Sequence, residues 1–213
     1  MDTLVKLSQV VFYLTAAIVA VLTFIKAKNG LLNSVNTEYQ KRVMDRLSLL
    51  SDELYSEFDS DSKNYWAKDN PIKEVLDKFH KEIKEHKYEI IMEKKLFVGT
   101  PSPETLRKQD AYLDKLKSDP FIPKEIRTEI VKNLDIRSKT MFNAYMEVME
   151  EYRNGLKEGK YWDTLDTNFA WIHNHINDKM YENGVGISQL EEKIHEIRLA
   201  IQSYLESFDP IKK

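Results

Sequence analysis

His173 and His175, one residue apart, are the first place in this 213-residue chain where ligands could gather, with Asp166 and Asp178 nearby. A zinc-type site needs at least three ligands converging on one point. Helix positions two apart diverge by about 200°, so the pair is expected to make capping or surface contacts, and no metal or cofactor is expected. His80 and His86 fall on different helical faces, and His195 sits on a charged helix. No Ser-His-Asp arrangement has a local signature, and Gly184-Val-Gly186 is too short to cradle a phosphate and is expected to close a helix. The acidic pairs Glu150-Glu151 and Glu191-Glu192 lie in charge-rich helices, where adjacent side chains diverge into solvent. No catalytic residue is assigned.

The elements that would position these groups read as helices throughout. Val35, Tyr39, Val43, Leu47, Leu50, Leu54 and Phe58 recur every three or four residues, so one helix is expected to leave the N-terminal segment directly, with Gly30 and Asn33 as its kink points. A loop from Asp59 to Pro71 precedes a helix from Ile72 to about Lys95. Ser102-Pro103-Glu104 supplies an N-cap, a first helical residue and a dipole-favoured acid for a helix to about Lys117. A long helix follows from Pro123 to about Glu158, stopping near Gly155 and Gly159. Asp163 is placed as the cap of a helix to about Glu182. Ser188 and Glu191 have capping-box spacing for a last helix that ends at Pro210. With no β-alternation and no repeat, the fold class is all-α, a bundle of five or six helices. The aromatic group Tyr161, Trp162, Phe169, Trp171 and Tyr181 is expected in the core, with a pocket or interface as the other use of such residues.

Leu7 to Ile25 is nineteen residues without a charge. As a helix it spans about 28 Å, the thickness of a bilayer's hydrocarbon core. A signal peptide has a shorter apolar run ending at small residues, whereas this one runs into Lys26 and Lys28. Residues 1–29 therefore read as a single-pass transmembrane anchor and 30–213 as a helical domain, and the lysines place that domain in the cytoplasm of a cell inner membrane. Ser8, Gln9, Phe12, Thr15, Ala16, Val19, Ala20 and Thr23 share an arc of roughly 140°, opposite a greasier one. The small, hydroxyl-bearing or amide side chains at Ser8, Gln9, Thr15, Ala16, Ala20 and Thr23 suit helix association or the lining of a pore.

The net charge is −3, mixed in sign throughout, so no stable nucleic-acid binding is expected. Cysteine is absent, which excludes disulfides and thiolate metal sites. No Asn-x-Ser/Thr sequon is present.

The layout of one N-terminal membrane helix followed by Lys-, Glu-, Asn- and Tyr-rich helices, at just over 200 residues, resembles the membrane accessory proteins of type VI-B CRISPR systems. That resemblance implies a HEPN-like helical bundle and a ring-like membrane pore that strengthens antiphage defence. HEPN nucleases carry an Arg and then a His with four to six residues between them; the nearest spacing here is Asn168 to His173. An Asn lacks the cationic fork that stabilises a phosphoryl transition state, so nuclease activity is not expected. The expected function is a non-enzymatic, homo-oligomeric effector in the lipid bilayer. The alternatives are a tethered adaptor or sensor for a protein partner and a tethered RNase.

Overall fold

The computed structural model describes residues 2–66 and 71–208, with side chains throughout except those of residues 2–5, 7, 8, 10, 11 and 71. The Ser8 side chain and Pro210 lie outside the described residues. No strand occurs among them, and the chain is all-α. It divides into two units, Met1–Arg46 and Leu47–Lys213.

The first unit is one continuous helix, the N-terminal part of α1 (Asp2–Tyr55). Helical structure runs unbroken through Gly30 and Asn33, and the Thr37 hydroxyl donates to the Asn33 carbonyl at 2.8 Å. Among the described residues α1 alone is long and apolar enough to cross a membrane. Every described side chain from Phe12 to Arg42 is exposed.

The second unit contains the end of α1 and six further helices: α2 (Pro71–Ile83), α3 (Lys87–Glu93), α4 (Glu104–Lys117), α5 (Lys124–Lys157), α6 (Asn168–Glu182) and α7 (Ile187–Glu206). Helix α5 is its axis, because Ile126, Ile130, Leu134, Tyr145, Val148, Met149, Tyr152 and Leu156 give it apolar surface on more than one side. Helices α3, α4, α6 and α7 all pack against it, and α2 packs on α6. The last turns of α1 are buried through Leu47, Leu50 and Leu54. Ser51 accepts a hydrogen bond from Arg198 of α7 at 3.0 Å, and Glu53 accepts one from Tyr112 of α4 at 3.1 Å.

Several helix ends differ from the sequence expectation, each for a local reason. The expected Ile72–Lys95 helix is broken by a 3₁₀ turn at Lys84–His86, across which His86 bonds Glu89 at 3.0 Å, and it ends at Lys94 in a left-handed conformation. Lys94 then reaches the carbonyl of Lys157 at 3.0 Å, placing a cation on the negative end of α5. Pro103, not Ser102, caps α4, because its extended ψ of 140° delays the first helical residue to Glu104. Asp163 caps nothing. It lies in a 3₁₀ turn, Trp162–Thr164, while Thr167 precedes the true start of α6. Helix α7 starts earlier than the Ser188-Glu191 pair implies: Gly186 is the cap, and its N–H donates to the Gln189 side chain at 2.8 Å.

Helix α5 ends at Lys157, next to the expected end at about Glu158, and Gly159 turns the chain at φ +83°, so Gly155 lies inside the helix. Its role is close approach. The Tyr161 ring lies where a Cβ on Gly155 would be. That ring is held between Tyr152, with centroids 5.4 Å apart, and Trp171, stacked at 5.3 Å, so it has no free direction in which to retreat. Gly155→Ala is therefore expected to destabilise the helical unit by about 1–3 kcal/mol through overpacking. Urea denaturation followed by circular dichroism checks this, with Gly99→Ala, where a Cβ meets open space, as the near-neutral comparison.

Candidate functional site

Two places hold the residues singled out by the sequence. In α1, Gln9, Thr15, Ala16, Ala20 and Thr23 are exposed, as are the described residues around them. The Thr23 hydroxyl donates to the Val19 carbonyl at 2.7 Å, which satisfies it without a partner helix. Along the same helix Leu31, Leu32, Val35 and Tyr39 are exposed at 70%, 51%, 65% and 51%, beyond the apolar span. At 100° per residue these four fall within an arc of about 100°.

In the helical unit, Asn168 and His173 are not brought together. Five helix positions separate their directions by about 140°. Asn168 is buried and fully hydrogen-bonded. Its amide nitrogen donates to the Tyr161 carbonyl and to the Tyr152 hydroxyl, both at 2.9 Å, and its oxygen accepts from Thr164 at 2.7 Å. A carbonyl can only accept, so the amide orientation is fixed. Tyr152, itself buried, then has its proton free to give to His80 Nε2 at 2.8 Å. His80 is thereby held as the neutral tautomer with its proton on Nδ1. Burial lowers its pKa, partly offset by Asp77 and Asp166. Burial likewise pushes the Tyr152 phenol up to about 12. The network ties α2, α5 and α6 together, and it contains no cation to stabilise an anionic transition state.

His173 faces elsewhere, into a cavity of about 320 Å³. Its Nε2 pairs with the Asn177 amide nitrogen at 3.0 Å. His175 turns away to Glu151, 3.3 Å distant, and stacks on Trp171. Among the described residues no three His, Asp or Glu side chains gather as metal ligands. Of the aromatic group, Trp162 is buried and donates to the Leu156 carbonyl at 2.9 Å, whereas Tyr181 forms part of the cavity wall and Trp171 is partly exposed.

The cavity is what the sequence reading missed. Its walls are mainly apolar, among them Leu106, Met141, Ile176, Met180 and Leu190. Arg137 forms a two-pronged ion pair with Glu57, Nη1 to Oε2 at 2.7 Å and Nη2 to Oε1. The available signal was register. Arg137 falls between Leu134 and Met141 on the stripe that α5 otherwise keeps apolar, and Glu57 follows α1 by two residues. A charged residue on such a stripe demands a buried counter-charge.

The folded-state pKa of His80 is lowered, so below the ordinary value of about 6.5 the unfolded chain takes up a proton that the folded one resists. Stability is therefore full above that value and falls with pH until the lowered pKa is reached. His80→Gln keeps an acceptor for Tyr152 and removes the titration. The variant is expected to lose a slope of up to about 1.4 kcal/mol per pH unit just below pH 6.5 in urea titrations; an unchanged slope would show that His80 is not held neutral.

Comparison with family models, curated proteins and solved structures finds no match to this chain.

Proposed function

We propose that this chain is a membrane-anchored, homo-oligomeric effector that perturbs the bilayer, with its helical unit on the cytoplasmic side of an inner membrane. The observation that carries the reading is the apolar stripe Leu31, Leu32, Val35 and Tyr39, which stays exposed past the lysines that end the span. Between Phe12 and Ile25 lipid can cover the exposed apolar side chains. Beyond Lys28 it cannot, and a stripe at three- and four-residue spacing is the pattern that helices cover by packing on copies of themselves. The small-residue face at Ala16 and Ala20 gives the same contact a close-approach surface within the bilayer. Lys26 and Lys28 support this orientation. The resemblance to accessory proteins of type VI-B CRISPR systems supports a pore as the form of perturbation and antiphage defence as its setting.

A single helix cannot enclose an aqueous path, so permeabilisation requires assembly. Burying a Leu and a Val on association is worth about 1.5–3 kcal/mol each when complete, so Leu32→Glu with Val35→Glu is expected to weaken assembly by on the order of a hundredfold or more. Ala16→Leu with Ala20→Leu keeps the span apolar but adds bulk where backbones would meet, and is expected to insert without assembling. Ile18→Leu, on the greasier arc, is expected to behave as the parent. Dye release from cells or vesicles reads the outcome, with membrane fractionation as the insertion control. Full permeabilisation by both double variants would reduce α1 to an anchor and leave the tethered adaptor as the better account.

A further inference from the structure

The cavity in the helical unit has the size and lining of a small-molecule site, and its charges point to one class of occupant. Its volume of about 320 Å³ falls within the usual range for ligand pockets. It lies between the loop that follows α1, the start of α4, the middle of α5 and the facing side of α6, closed by the start of α7. Two methionines, Met141 and Met180, give the wall an adaptable shape, and Trp66 and Tyr181 supply aromatic surface.

The full charges at this site cancel. Arg137 and Glu57 neutralise each other through two hydrogen bonds, with side chains only 13% and 27% exposed. The Tyr145 hydroxyl is engaged with the Pro101 carbonyl, and burial raises its pKa above the ordinary phenol value, so it stays un-ionised. An anionic head would meet Glu57, and a cationic one Arg137, with no unpaired counter-charge in the cavity to receive it. What remains is the buried Arg137 Nε–H, which has no partner among the described residues, and neutral hydrogen-bonding capacity at Asn177. The Asn177 amide gives one N–H to His173, and its oxygen and second N–H have no partner among the described residues.

We propose that this cavity binds one uncharged, mainly aromatic or aliphatic small molecule, anchored by a single hydrogen-bonding group at Asn177 and His173. The inference is independent of the effector reading and would hold equally for a tethered sensor.

Two dyes built on one scaffold test it: N-phenyl-1-naphthylamine, which is neutral and brightens in apolar sites, and 1-anilinonaphthalene-8-sulfonate, which adds an anion. The full chain in lipid nanodiscs is titrated with each, and the signal of empty nanodiscs is subtracted. The neutral dye is expected to saturate at about one equivalent per chain, and the sulfonate to bind at least tenfold more weakly, because its charge would be buried unpaired. Thr105→Trp, which places bulk at an exposed wall position, is expected to abolish saturable binding. Asn177→Leu keeps the apolar volume and is expected to weaken the neutral dye by about five- to tenfold, the worth of one hydrogen bond. Thermal unfolding of both variants identifies any that is misfolded, and either one alone suffices for the test. Absence of saturable binding by the parent, or saturation unchanged in the folded variants, would overturn the site; sulfonate binding as tight as the neutral dye would overturn the choice of an uncharged ligand.

Discussion

Burying the Tyr152 hydroxyl is the constraint around which the helical unit is arranged. A phenol in a dry core needs its oxygen and its proton both engaged, or the fold loses the cost of desolvating them. The solution takes one group from each neighbouring helix, His80 from α2 and Asn168 from α6. Asn168 in turn needs Thr164 and the Tyr161 carbonyl, which dictates the turn between α5 and α6. Tyr161 adopts a left-handed conformation there, its ring filling the space over Gly155. One buried oxygen thus sets the register of three helices and the shape of a connection, and it explains why His80 is held neutral rather than poised for acid–base work.

Much of this architecture was legible in the sequence, and the rest was hidden for identifiable reasons. The long periodic runs located α1, α4, α5 and α7, because their apolar stripes are wide and, except in α1, Pro or Gly stands beside their ends. Helix starts were read less well. Asp163 and Ser188 have cap chemistry, yet the real caps at Thr167 and Gly186 follow from tertiary demands: Asn168 must face Tyr152, and Tyr181 packs where a Cβ on Gly186 would stand. Asn168 and His173 share a spacing that invites a functional pairing, but helical geometry sends one into the core and the other into the cavity. The cavity was visible only as an Arg on an apolar stripe, and its partner Glu57 lies 80 residues away in sequence, beyond the reach of any local pattern.

The chemistry of the two units differs in kind. The helical unit engages most of its buried polar groups internally, leaving Gln109 Nε2 and Arg137 Nε without a partner among the described residues, and keeps a mainly apolar cavity. The N-terminal helix satisfies only its backbone and leaves its apolar side chains outward, first over a length suited to lipid and then over a stripe suited to another helix.

The account turns on self-association through α1. Its most direct test is the mass of the full chain extracted in mild detergent, with the detergent contribution removed by light scattering. A discrete assembly larger than a dimer, collapsing to monomer when Leu32 and Val35 are both changed to Glu, is the predicted result. A parent chain that runs as a monomer or a simple dimer at every concentration would contradict it.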